Sequence, residues 1–143
     1  MKFLDRLHPL ALLALRVGLG IIMISHGAQK VFGGMPNAIA MVAKLGLPGW
    51  MAYLSAAAEF GGGILLVTGL LTRLAALSVG VDMAVAIAKY HWVNGLRGAP
   101  GKPGYEFPLA CGVIAFALIF LGAGPISLDG AFFRGGGSSP ARK

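Results

Sequence analysis

The sequence predicts an all-α protein, a four-helix transmembrane bundle, and three observations carry that expectation. The 143-residue chain is 57% hydrophobic and 12% charged, about half the charge of an ordinary soluble domain. Its mean hydropathy is +0.78. Four apolar stretches approach the roughly 20 residues with which a helix crosses a hydrocarbon core about 30 Å thick. Lipid then replaces the polar surface that a soluble protein must build.

The elements follow in order. Residues 1–130 read as one transmembrane domain, with helices over about 9–32, 50–71, 73–92 and 107–124, and residues 131–143 as a polar, disordered tail. Gly33-Gly34-Met35-Pro36-Asn37 breaks the first helix, and Ala38 to Leu47 suits a short amphipathic piece lying at the interface. Pro48-Gly49 introduces the second helix, and Leu71-Thr72-Arg73 gives a tight turn into the third. His91 to Glu106, rich in glycine and proline, is loop chemistry. Pro108 falls in the first turn of the fourth helix, where its missing N–H does no harm. The N-terminal apolar run reads as a retained helix rather than a leader, because Arg16 interrupts it and no cleavage site is evident.

The net charge of +7 suggests nucleic acid only at first glance. The cations are scattered among apolar stretches with no clustered stripe, and anionic lipid headgroups account for them. Membrane lipid is therefore an expected partner and nucleic acid is not. The lone Cys111 excludes an internal disulfide relay. Four spans place both termini on one face with Arg73, and Lys30, Lys44, Lys89, Arg97 and Lys102 on the other. Lys2, Arg6, Arg134, Arg142 and Lys143 join Arg73, and the tight Arg73 turn with both charged tails favours cytoplasmic termini.

The informative residues are those that lipid should exclude. Arg16, Glu59 and Asp82 each lie inside a predicted span, at about 2.5–3.5 kcal/mol apiece near the bilayer centre. Such groups face a bundle interior and pair there. At 1.5 Å rise per residue, all three fall in one central slab, so the sequence predicts that they converge. The faces agree: Arg16, Gly20, Met23, His26, Gly27 and Lys30 form one stripe, and Ala52, Ser55, Glu59, Gly62, Gly63 and Leu66 another. Ser78, Asp82 and Lys89 share a face of the third helix, beside a separate small-residue stripe of Ala76, Gly80, Ala84 and Ala88 suited to close packing.

Arg16, Glu59 and Asp82 are thus the candidate catalytic residues. One cation against two acids leaves an excess negative charge, which suits a proton-coupled step; the alternative is an ion network that fixes helix register. His26, Lys30, His91 and Trp92 are the candidate ligand-binding residues. No metal is expected, because the chain has no His-x-x-His, His-x-x-x-His or cysteine cluster. Tyr90 and Trp92 read as belt aromatics, and Trp92 beside His91 also offers a flat face for a quinone ring.

Several short runs carry a resemblance. They are Arg16-Val17-Gly18-Leu19-Gly20, His26-Gly27-Ala28-Gln29-Lys30, Glu59-Phe60-Gly61-Gly62-Gly63 and Gly69-Leu70-Leu71-Thr72-Arg73. Asp82, His91-Trp92, Asn94-Gly95, Glu106-Phe107, Gly122-Ala123-Gly124-Pro125 and Ser127-Leu128-Asp129 complete them. In this order and spacing the chain, from about Leu15 to Asp129, resembles the DoxX family of small bacterial membrane proteins. The resemblance implies a four-helix bundle in the bacterial inner membrane. Among DoxX-like proteins it implies a subunit of a quinone-linked oxidoreductase, a component of oxidative-stress complexes, or a maturation factor.

Three functions compete. The leading one is a redox-associated subunit that binds a quinone, or a similar lipophilic molecule, among Arg16, Glu59, Asp82 and His26, which hydrogen-bond its head and exchange protons. No covalent cofactor is expected, so a redox partner protein would carry the electron centre. The second is a small proton-coupled transporter using Glu59. The third is a non-enzymatic assembly factor or chaperone. A homo-oligomer is left open.

Overall fold

A computed structural model describes residues 6–133. The expectations that fall on Lys2 and on Arg134 to Lys143 lie outside the described residues. Helix α1 spans His8–Gln29 with Pro9 in its first turn, where a proline's fixed φ favours helix. It runs on through a distorted turn, Lys30–Gly34, in which Gly33 takes φ 120°, a conformation open to glycine. Helix α2 (Met35–Lys44) follows, again with a proline near its start, and none of its residues is fully buried.

The second apolar segment is α3 (Met51–Ala56), a wide turn at Ala57–Gly61 with i→i+5 bonding, and α4 (Gly62–Thr68). Gly69 ends it at φ 70°. Its N–H and that of Leu70 return to the Leu65 carbonyl, as glycine-terminated helices do. The third segment is α5 (Thr72–Ala86), a wide turn at Ile87–His91 and a short 3-10 turn at Trp92–Asn94. Strands β1 (Gly98–Ala99) and β2 (Lys102–Pro103) pair antiparallel in a small hairpin. Helix α6 (Glu106–Leu121) stops where Gly122 turns to φ 73°, and α7 (Leu128–Phe133) closes the described chain.

The all-α expectation holds apart from the two-residue strands. The count of four spans is met only in part. His8–Lys44, Met51–Thr68 and Thr72–Asn94 are long and apolar enough to cross a membrane. Helix α6 is apolar, but its 16 residues extend about 24 Å at 1.5 Å each, short of a hydrocarbon core. The predicted polar tail also begins differently: residues 131–133 belong to α7.

Glycines bring the first two segments together. A Cβ on Gly63 would lie 2.8 Å from the Gly20 carbonyl oxygen, and one on Gly27 would lie 2.7 Å from the Phe60 Cα. Backbones approach this closely only where small residues permit. The core comprises Leu19, Met23, Leu66, Val79, Met83 and Leu118, with Cys111 and Ala115 filling the α5–α6 contact. Outside it Ile21, Trp50, Leu74, Phe116 and Phe120 each leave more than half of their surface exposed. A surface this apolar is unfavourable in water and matches acyl chains.

Candidate functional site

The polar residues of the spans sort into two groups at opposite ends of the bundle. One group lies toward the hairpin. Helix α1 delivers Lys30 one residue past its last regular turn, and Lys30 Nζ donates to Ser55 Oγ at 2.7 Å. The same Nζ sits 2.7 Å from Glu59 Oε2, an ion pair whose side chains are 22% and 8% exposed. That oxygen lies off the line a hydrogen bond prefers, so charge more than direction holds the pair. Asp82 on α5 completes the group: Ser55, Glu59 and Lys30 are the polar neighbours acting on it. Three apolar segments thus contribute a base, two acids and a hydroxyl to one place.

Local structure explains why these residues meet. Ser55 and Glu59 are four apart, so they share a helix face, and Glu59 sits inside the wide turn Ala57–Gly61. Such turns recur at functional sites because they re-aim side chains within an otherwise continuous helix. Gly27 lets α1 approach Phe60, bringing Lys30 within reach of Glu59.

Two aromatic pairs involve residues close in sequence to this group. His26, one turn before Lys30, stacks on Phe107 with centroids 5.2 Å apart and planes 25° apart. Its Nδ1 donates to the Ile22 carbonyl at 3.0 Å. Phe60, next to Glu59, meets Phe32 edge-on at 5.7 Å. His91 and Trp92 stand apart in the loop region. His91 Nδ1 donates to the Pro103 carbonyl at 2.9 Å, with Asn94 Nδ2 donating to the same oxygen at 3.0 Å. The Trp92 ring stacks on Tyr105 at 5.5 Å with planes 17° apart. One face of Trp92 is therefore already covered, and both side chains brace the hairpin.

The second group lies toward the Gly69–Arg73 turn, and it corrects the expected convergence. Arg16 is 2% exposed, yet its guanidinium meets neither acid of the first group. Its Nη1 donates to the Ala123 carbonyl at 2.7 Å and its Nη2 to the Ile126 carbonyl at 2.8 Å. Since Phe60 packs at the level of Gly27, Glu59 lies about 15 Å along the helix axis from Arg16, beyond the reach of either side chain. Peptide oxygens, not the two acids of the first group, accept from both Nη atoms of Arg16, and its buried Nε has no hydrogen-bond partner among the described residues.

Asp129 belongs to this second group, a role its sequence position did not reveal. Its Oδ1 accepts the Leu71 N–H at 2.7 Å and its Oδ2 the Thr72 N–H at 2.9 Å. Its own N–H donates to the Gly69 carbonyl at 2.8 Å. These bonds cap the start of α5 from 57 residues away, and they hold Leu71 at φ 49°, which costs a branched residue strain. An open cleft of about 710 Å³ lies here between His8, Arg73, Asp129 and Gly122 to Pro125. A smaller apolar groove of about 290 Å³ runs between α5 and α6, past Gly80, Ala84, Gly112 and Phe116. Neither is lined by Lys30, Glu59 or Asp82. Among the described residues no three His, Cys, Asp or Glu side chains gather as metal ligands.

Comparison with known proteins adds the lineage. A family model described as DoxX matches residues 11–92, a span containing Arg16, Lys30, Ser55, Glu59 and Asp82. A protein of Bacillus subtilis (strain 168), named "Putative oxidoreductase CatD", is 37% identical over 123 residues, which cover 86% of this chain and 87% of the relative. An uncharacterised protein of Haemophilus influenzae is 34% identical over 143 residues, covering 94% of this chain and 99% of the relative. No solved structure matches.

Proposed function

The chain belongs to the DoxX family of membrane proteins, and from that premise we propose that it is a redox-associated subunit binding a quinone head among Lys30, Ser55, Glu59 and Asp82. The observation that carries the reading is the ion pair of Lys30 and Glu59 with Ser55, set beside Asp82, with the ring pairs His26–Phe107 and Phe32–Phe60 on residues close in sequence to Lys30 and Glu59. An apolar wall with a few convergent polar groups suits a small lipophilic ligand. Lys30 and Ser55 supply donors for a quinone carbonyl, and the acids supply acceptors for a reduced hydroxyl. Lys30, the more exposed member of its ion pair, swings from Ser55 to the ligand. Electrons come from a partner protein, in line with the oxidoreductase name of the B. subtilis relative. In this reading the chain crosses the bacterial inner membrane four times, with α6 as the short fourth span and both termini cytoplasmic.

Titration of the purified protein in lipid nanodiscs with short-chain ubiquinone and menaquinone analogues, followed by tryptophan quenching, tests the proposal. Losing one charge-assisted hydrogen bond removes about 1.5–3 kcal/mol, so Glu59→Gln and Lys30→Met weaken binding about 10- to 100-fold. Unaltered affinity in both folded variants would refute it. A proton-coupled transporter is the second reading, favoured by one observation: Arg16 is engaged by carbonyls and so does not neutralise Glu59. Proton-driven flux in liposomes that Glu59→Gln abolishes, without quinone binding, would select it.

A further inference from the structure

The open cleft of about 710 Å³ at the Gly69–Arg73 end is lined by groups that the quinone reading leaves unused. Helix α5 begins in its wall. The first α5 residue whose N–H returns to a backbone carbonyl is Ala75, which donates to Leu71 at 3.0 Å, so the N–H groups before it need other partners. Asp129 accepts those of Leu71 and Thr72. The N–H groups of Arg73 and Leu74 remain without a backbone partner among the described residues, and both residues line the cleft. Thr72 lines it too, fully buried, and its hydroxyl has no hydrogen-bond partner among the described residues. The exposed Arg73 guanidinium makes one long hydrogen bond, from Nη2 to the Phe120 carbonyl at 3.3 Å. Among the described residues it forms no ion pair. His8 adds a ring N–H from the start of α1.

Donors without acceptors, a guanidinium and the start of a 15-residue helix are the elements that bind phosphate. We infer that this cleft seats the phosphate headgroup of an anionic phospholipid, held by Arg73 and the first turn of α5. Three features select a lipid over a free ion. The cleft is far larger than a phosphate needs and is of the size that holds whole small molecules. Its walls include Leu71, Leu74 and Leu121, which are exposed and lead acyl chains onto the apolar girdle. It also lies where the segments His8–Lys44 and Thr72–Asn94 begin and Met51–Thr68 ends, which is headgroup level. The charge of the lipid follows from the same walls. Their one carboxylate, Asp129, already accepts two N–H groups, and no Phe, Tyr or Trp lines the cleft. Nothing there receives a choline cation. The inference is independent of the quinone site, because neither Lys30, Glu59 nor Asp82 lines this cleft.

Native mass spectrometry of the delipidated full chain in detergent, titrated with phosphatidylglycerol or phosphatidylcholine, tests it. The native protein retains a single phosphatidylglycerol at concentrations where phosphatidylcholine dissociates, and a large excess of inorganic phosphate does not displace it. Arg73→Gln removes a charge-assisted contact and weakens phosphatidylglycerol binding about 10- to 100-fold. His8→Glu, at an exposed position in the first turn of α1, sets a carboxylate in the same wall and also weakens it. Arg97→Gln, in the hairpin loop at the other end, leaves it unchanged. Circular dichroism and a single elution peak establish that each variant is folded. Equal retention of the two lipids, or unaltered phosphatidylglycerol affinity in folded Arg73→Gln and His8→Glu, overturns the inference. Displacement by inorganic phosphate overturns the lipid assignment in favour of a free anion.

Discussion

A guanidinium inside a bundle needs acceptors for its donors, and peptide carbonyls serve as well as carboxylates. Arg16 takes this option, stapling α1 to the segment after α6 through Ala123 and Ile126, while Asp129 caps α5 from that same segment. Removing the staple leaves buried carbonyls unpaired. Arg16→Met is therefore expected to lower stability by about 2–3 kcal/mol, read as an earlier midpoint in detergent-induced unfolding. Asp129→Ala, which removes a cap, is expected to cost about 1 kcal/mol. Quinone affinity should be unchanged in both wherever the protein is folded; a selective loss of affinity in Arg16→Met would return that residue to the site. The sequence made Arg16 conspicuous because a charge in an apolar run is costly. It could not show the partners, since a carbonyl acceptor has no residue signature. Asp129 was hidden for a related reason: a cap is sought just before its helix, and this one arrives from a distant segment.

Glycine spacing decides how the helices approach. Gly20 and Gly63 face each other across α1 and α4, and a Cβ on either would lie 2.8 Å from the other's carbonyl oxygen. Gly18, by contrast, has nothing within 4 Å of a would-be Cβ. Gly63→Leu should therefore unfold the protein or strongly lower its unfolding midpoint, while Gly18→Leu should leave it unchanged; equal tolerance would contradict the packing. The stripes through Gly20, Gly27 and Gly63 were legible from three- and four-residue steps. Depth was less so. Counting rise from assumed membrane edges put Arg16 and Glu59 about 7 Å apart. The glycine contacts set a different register and separate them by about 15 Å. The pairing of Lys30 with Glu59 follows from that same register. The wide turn at Ala57–Gly61 has no propensity signal beyond the adjacent glycines, and so Glu59's final aim was not predictable.

On the scale of the whole molecule, composition and hydropathy alone gave the all-α class, and the exposed apolar girdle of Ile21, Leu74 and Phe116 is their physical counterpart. Three segments are long enough to cross a membrane, and the proposed fourth crossing, α6, has only 16 residues. With Cys111 replaced by serine, Arg97→Cys in the hairpin loop should react with a membrane-impermeant maleimide in intact spheroplasts. Arg73→Cys should react only after permeabilisation; the reverse pattern would invert the orientation. The molecule also offers two ends for a ligand, the polar cluster of Lys30 and Glu59 and the open cleft by Arg73. Photolabelling with an azido-quinone in native membranes, followed by peptide mapping, distinguishes them most directly. The account predicts adducts within residues 26–34, 55–61 or 82–92; adducts confined to residues 8–12, 71–74 or 121–130 would contradict it.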